Sequence, residues 1–355
     1  MVKEFIHNMS LQVGTSGYEE SVSQFVRGEF EKYCDEVSVD EYFNVTGIMR
    51  GDKWGTCGEG KNYPRIMICA HMDEIAMMVK EIDDDGFIRV STVGGFDMRL
   101  LPGLEVIIHG KETLRGIMAA KPNHVQEDDE KGKALGTNSL FIDTGCSAER
   151  VKEVVSIGDI VTYDSEMGEL KNGLLFGKAM DDRAGIAILI ATMLELKRFH
   201  FGAEVSFVAT VQEEVGTKGA QMVSYRIKPD IGVAIDVTHG SSPDAPAPGT
   251  IPMDKGICMA FGPNMHPTLF NRLKSVADEY AIPYATELCK GPTGTDARSI
   301  QISREGIPTL LLEIPLRYMH TPVEVISLDA VKKAGRLLAN FIADMKEDWE
   351  QWTTF

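Results

Sequence analysis

Two histidines, His71 and His320, and five carboxylates, Asp73, Asp181, Glu213, Glu214 and Asp236, are the side chains whose types and places could do chemistry. The apolar run Arg65-Ile66-Met67-Ile68-Cys69-Ala70 stops abruptly in His71-Met72-Asp73-Glu74. A second run, from Ala203, stops at Gln212-Glu213-Glu214, and a third, Gly232-Val233-Ala234-Ile235, stops at Asp236. A fourth, around Thr309, leads into Arg317-Tyr318-Met319-His320. Met180-Asp181-Asp182-Arg183 stands just before a long helical pattern.

Taken singly, each has an ordinary reading: a surface histidine beside a turn acid, a pair of solvated acids, an aspartate at a helix start. Asp182 keeps that capping role. Together they are harder to dismiss, because charged groups at the ends of buried strands need partners or a cation to offset desolvation. Ligands also collect at the carboxyl ends of strands in open α/β sheets. Imidazole and carboxylate together suit a divalent ion such as Zn²⁺. Two histidines and three carboxylates suit a pair of such ions about 3.5–4 Å apart that share a bridging carboxylate. Such a pair polarises a carbonyl and generates hydroxide, and a carboxylate free of ligand duty then carries the proton. Within Glu213-Glu214 one residue can ligate while its neighbour handles protons. Asp73, two residues past His71, can fix the tautomer of a ligating imidazole. The other six histidines are His7, His109, His124, His200, His239 and His266. His239, three residues after Asp236, is placed near the site without a role, and His124 could approach it only from a neighbouring subunit.

Strands ending in such groups must be held in one sheet. Helical spacing over Tyr18–Tyr33, Arg183–His200, Pro267–Tyr280 and from Ser327 to about Trp352 alternates with buried strands near 65–70, 203–212, 231–237 and 307–314. That alternation predicts an α/β fold, with a mostly parallel or mixed sheet sandwiched by helices. Between about Ile75 and Ser165 the texture changes to short β-like pieces divided by Gly and Pro turns. The expected organisation is therefore a discontinuous main domain (1–74 and 166–355) and an inserted, small β-barrel-like domain (75–165). Gln126–Lys133 reads as an exposed acidic loop.

The chain has 355 residues, 43% hydrophobic and 25% charged, enough for a large core. Its formal charge of −17 repels phosphates and anionic lipid, so no nucleic acid and no membrane is expected as a partner. The six scattered cysteines lack a C-x-x-C pair and read as reduced thiols. With no secretory leader and no run of ~18 apolar residues, the expected location is cytoplasmic.

The ordered stretches Ala70-His71-Met72-Asp73-Glu74, Gly177-Lys178-Ala179-Met180-Asp181-Asp182-Arg183, Gln212-Glu213-Glu214-Val215-Gly216, Ala234-Ile235-Asp236-Val237-Thr238 and Arg317-Tyr318-Met319-His320 resemble the glutamyl aminopeptidase family of co-catalytic metallopeptidases. That family includes the tetrahedral aminopeptidases, and Gly294-Thr295-Asp296-Ala297 and Gly116–Pro122 also match it. The resemblance implies that His71, Asp181 and Asp236 hold one metal and that Asp181, Glu214 and His320 hold the other. It further implies Glu213 as general base, Asp73 as the residue orienting His71, and two divalent ions per subunit, zinc or cobalt. Peptides are the implied substrates, and a homo-oligomer, often a tetrahedral dodecamer, the implied assembly. Two departures stand out, the acidic residues Glu127–Glu130 in the insert and Met180 before the bridging aspartate. Two other readings use the same residues. One is a two-metal amidohydrolase of deacylase or carboxypeptidase type, in which the accessory domain usually falls between later ligands. The other is a non-catalytic assembly protein on the same scaffold.

Overall fold

A computed structural model of the protein describes residues 1–55, 63–125, 136–243, 245 and 249–354. The acidic stretch Gln126–Lys133 and Cys57 lie outside the described residues. The run Arg65–His71 forms a strand whose successive side chains face opposite sides, and both sides are covered. Ile66, Ile68 and Ala70 enter one apolar cluster, and Met67 and Cys69 another.

In chain order, α1 (Val2–Ser10) and α2 (Glu20–Phe30) precede β1 (Glu36–Val39), β2 (Val45–Arg50) and β3 (Arg65–His71). Then come β4 (Ala76–Ile82), β5 (Ile88–Val93), β6 (Glu105–His109), β7 (Thr113–Ala120), β8 (Leu140–Asp143), α3 (Ala148–Val154) and β9 (Ile160–Tyr163). The chain continues through β10 (Gly168–Glu169), β11 (Leu174–Gly177), α4 (Met180–Leu196), β12 (Glu204–Thr210), α5 (Lys218–Ile227) and β13 (Ile231–His239). It ends with β14 (Ile257–Phe261), α6 (Pro267–Glu279), β15 (Tyr284–Leu288), α7 (Asp296–Gln301), β16 (Thr309–Leu316), β17 (Glu324–Ser327) and α8 (Leu328–Ala343).

Eight strands form a mixed sheet in the order β1-β2-β12-β3-β13-β16-β14-β15. The central four, β12, β3, β13 and β16, run parallel, so their carboxyl ends share one edge. The long helix α4 has almost every residue buried because α1 and α8 cover it while it lies on β3 and β13. The opposite face is covered by α5 and α7, through Ala220, Val223, Ala297 and Ile300. The expected α/β sandwich is the observed one.

The strands β4 to β9 close into a barrel in the order β4-β5-β8-β7-β6-β9. Its core is its own: Met77, Val79, Ile88, Val90, Val106, Ile108, Met118, Ile142 and Val161 pack together inside it. Tyr163, the last residue of β9, sends its hydroxyl to the His320 carbonyl at 3.4 Å, so the barrel touches the site.

One expected element is shorter. The final helix starts as read, with Ser327 Oγ accepting the Ala330 amide at 3.3 Å, but it ends at Ala343. Asp344, Glu347 and Asp348 follow, and acids oppose the dipole at a helix C-terminus. The chain turns back there, and Trp352 packs on Phe341 and under the Arg272 guanidinium.

Candidate metal centre

The shared strand edge brings the chemistry-bearing groups together. His71 closes β3 and pairs in register with Thr210, the last residue of β12. Gln212 then takes a left-handed conformation (φ 55°), its amide held by Glu19 Oε1 at 3.0 Å. This kink ends the alternation of the strand, so Glu213 and Glu214 both line the same cleft. Asp73 fixes them there: its carboxylate accepts the Glu213 amide at 3.1 Å, the Glu214 amide at 3.3 Å and the Ser16 hydroxyl at 2.6 Å. His320 also has a left-handed backbone (φ 62°), and its amide donates to Glu324 Oε1 at 2.7 Å. The other oxygen of Glu324 accepts the Asp181 amide at 3.0 Å, so one buried carboxylate ties two distant stretches.

Asp181 lies between the two imidazoles. Its Oδ1 is 3.1 Å from His71 Nε2 and its Oδ2 is 3.3 Å from His320 Nε2, while Glu214 Oε1 is 3.2 Å from the same His320 nitrogen. The other ring nitrogen of His71 sits 3.1 Å from the Asp73 carbonyl and 3.5 Å from its carboxylate. Donor atoms of His71, Asp181 and Glu214 lie within 4.8 Å of one another, and so do those of His71, Asp182 and Asp236. Asp182 thus reaches the second group, but it is fully buried and its Oδ1 accepts the Gly185 amide at 3.0 Å. That is the bond of a helix cap, as read from the sequence. Asp181, unlike Asp182, lines the cleft and faces both groups.

The electrostatics are those of a buried acid cluster short of positive charge. Burial first, and then Asp181, push the Asp236 carboxyl well up. Burial raises Glu213 to about 10, with Asp236 and Asp296 adding to it. Burial and Asp181 likewise raise Glu214. Burial opposes charge on His320, yet the Asp181 and Glu214 carboxylates raise it to about 11. Asp181 goes the other way: although burial opposes ionisation, His320 and His71 hold it below the usual carboxylate range. A bridging carboxylate between two imidazoles, with two further buried acids, is a donor set that fits a pair of divalent cations.

The cleft encloses about 390 Å³ and is lined by Asp181, Glu213, Glu214, Asp236 and His320 together with Glu287, residues 289–295 and Glu313. His239 lines it too. Several of these residues escaped the sequence reading. Glu19 sits at the start of the Tyr18–Tyr33 helical pattern, where an acid is ordinary, and Ser16 and Glu324 lie in stretches with no pattern of their own. Glu313 left a signal, a lone acid inside the apolar run Thr309–Leu316, where an uncompensated charge is costly. Burial, then Glu287 and Asp236, push its carboxyl well up.

Among the described residues no helix is long and apolar enough to cross a membrane. The sequence matches the M42 glutamyl aminopeptidase family over residues 54–337. It is 32% identical to a lysyl aminopeptidase of Pyrococcus furiosus over 338 residues, 94% of each chain. Its fold matches a TET aminopeptidase from a marine-sediment Thaumarchaeota archaeon (TM-score 0.91, 31% identity, 99% of each chain). It also matches the Pyrococcus horikoshii TET1 peptidase, which can assemble into a tetrahedron or a large octahedral shell (TM-score 0.83, 28% identity, 97% of this chain and 100% of that one).

Proposed function

Since the chain belongs to the M42 glutamyl aminopeptidase family of metallopeptidases, we propose that it removes N-terminal residues from peptides with water activated by a pair of divalent cations. It is an aminopeptidase; the pairing of ions and the residue roles are our reading of the site. His71, Asp181 and Asp236 would hold one cation, and Asp181, Glu214 and His320 the other. The carrying observation is Asp181, whose two oxygens lie 3.1 and 3.3 Å from imidazole nitrogens of different strand ends.

When bound, the cation pair supplies Lewis acidity toward the scissile carbonyl and lowers the pKa of water. The protein's own groups do the rest. Glu213 lines the cleft beside the ligands, takes a proton from the attacking water and returns it to the leaving amine. Asp73 positions His71 from behind and holds both glutamate amides. Zinc or cobalt fits this mixture of imidazole and carboxylate.

We read the chain as a main domain (1–74 and 166–355) with an accessory barrel (75–165) that serves assembly. A homo-oligomer, a tetrahedral dodecamer by likeness to the TET relatives, and a cytoplasmic location complete the proposal. The two-metal amidohydrolase reading loses ground because the barrel separates His71 from Asp181. The test compares free-amine peptides with their N-acetylated counterparts in zinc- or cobalt-reconstituted enzyme. Hydrolysis of the free-amine set alone is expected; preference for acylated substrates would overturn the aminopeptidase mechanism.

A further inference from the structure

The cleft holds a second group of acids that the reaction does not use. β13, β16, β14 and β15 are neighbours in the sheet, and Asp236, Glu313 and Cys258 are ladder partners across the first three. On β15, Glu287 pairs with Ala260, two positions beyond Cys258 and so on the same face. Donor atoms of Glu313, Glu287 and Cys258 gather within 4.8 Å of one another. Thr238, two residues past Asp236, donates its hydroxyl to Glu287 Oε2 at 2.6 Å, which leaves a negative group pointed at the cleft.

Glu313 makes this more than a cluster of acids. It is only 6% exposed, it lines the cleft, and its Oε2 has no hydrogen-bond partner among the described residues. A buried, unpartnered carboxylate oxygen is costly unless something arrives to pair with it. Among the described residues that line the cleft, the one lysine or arginine, Lys290, is exposed. An apolar substrate side chain would leave both acids uncompensated, and an acidic one would be repelled.

We infer that this wall is the pocket for the N-terminal side chain and that it selects lysine and arginine, with Glu313 and Glu287 pairing to the ammonium or guanidinium group. The inference rests on the aminopeptidase reading, in which the substrate's α-amine sits at the cations beside Asp236. Glu313 lies one strand spacing, about 4.8 Å, from Asp236. A four-carbon lysine stem spans that step and delivers its charge to the two glutamates.

The experiment is a panel of Lys-, Arg-, Leu-, Met- and Glu-para-nitroanilides with metal-reconstituted enzyme, run on the parent chain and on Glu313→Gln and Glu287→Gln. The parent is expected to favour Lys and Arg, with kcat/KM at least about tenfold above Leu. Glu313→Gln should lower the Lys-to-Leu ratio of kcat/KM by roughly 30-fold or more, because a buried charge pair loses one partner. If Glu313→Gln does not fold, the half-buried Glu287→Gln reads the same ratio. Hydrolysis of Leu or Glu substrates with none of Lys or Arg overturns this inference and leaves the aminopeptidase reading standing. A ratio unmoved in both variants also overturns it. Failure to cleave any free-amine substrate removes the reading beneath it. Metal analysis closes the remaining route: a third zinc per chain that disappears in Glu313→Gln would make the cluster a metal site and sink the inference.

Discussion

Glu74 and Asp181 are both buried carboxylates near the end of β3, yet they are compensated in opposite ways. Glu74 takes 2.7 Å and 3.0 Å bonds from Lys178 Nζ and Arg183 Nη2, so the chain itself supplies the cations. Although burial opposes ionisation, Arg183 and Lys178 hold Glu74 below its ordinary range. Among the described residues, Asp181, Asp236, Glu213 and Glu214 have two imidazoles beside them and no lysine or arginine bonded to them. A buried acid with its own cation is a structural lock. A group of buried acids without one is a donor set that fits added cations. Both are built from the same two stretches: His71 and Glu74 from the first, Asp181 and Arg183 from the second. The lock therefore fixes the relative position of the two stretches that carry His71 and Asp181. Arg183 strengthens it with bonds to the carbonyls of Met9 and Gln12 at 2.9 and 2.6 Å.

The sharpest way to break the contrast is Asp181→Asn, which changes the carboxylate whose two oxygens lie 3.1 and 3.3 Å from His71 and His320. Loss of bound cations forfeits several kcal/mol of transition-state stabilisation, so a drop of about 10³-fold or more in kcat is expected. Metal analysis of the purified variant should show the loss alongside it, and a fully loaded Asp181→Asn would contradict the bridging role. Glu213→Gln should separate the two properties. Metal content stays at the parent level while kcat falls by about 10²–10⁴-fold, the usual worth of a positioned base. Retained activity with metal bound would remove Glu213 from the reaction.

The lock is tested by stability and not by turnover. Arg183→Met leaves Glu74 with a single cation inside a dry region, and breaking a buried pair costs about 3–5 kcal/mol. Denaturant unfolding of that variant should show the loss. Adding Glu74→Gln should lower stability further, because Lys178, buried 2.7 Å from that carboxylate, then loses its partner, but by less than Glu74→Gln costs the parent. A double variant that is merely additive would mean that Arg183 stabilises through its backbone bonds alone.

Much of this was legible in the sequence, for a physical reason. Apolar runs that end in His71, Glu213 and Asp236 carry their own punctuation, and parallel strands must bring such ends to one edge. The barrel announced itself by short strands and Gly turns over 75–165. What was not legible depends on contacts between stretches with no local pattern. Glu19 holds the Gln212 kink from 193 residues away, and Glu324 reaches Asp181 across 143 residues while it also holds His320. The lock was hidden as well: nothing in the letters links Glu74 with Arg183, which the fold sets 3.0 Å apart. The short end of α8 was missed because a helical pattern continues in the letters after acids have made the helix end unfavourable.

Glu324 offers the finest test of the contrast, because it belongs to neither cluster. It is buried and raised to about 8, first by burial and then by Asp181, while the Asp181 and His320 amides pull it back down. It accepts the backbone amides of both Asp181 and His320, so it acts as a positioning residue for the two. Glu324→Gln keeps the shape and one acceptor oxygen but puts an amide nitrogen where the second acceptor was. One of the two backbone bonds must then be lost. Supports of this kind are worth about 10–100-fold in metal affinity. Competition with a chelator should show that shift, with little change in the denaturation midpoint of the metal-free protein. A variant that binds metal as tightly as the parent would mean that the left-handed turn at His320 holds itself, without help from the carboxylate beneath it.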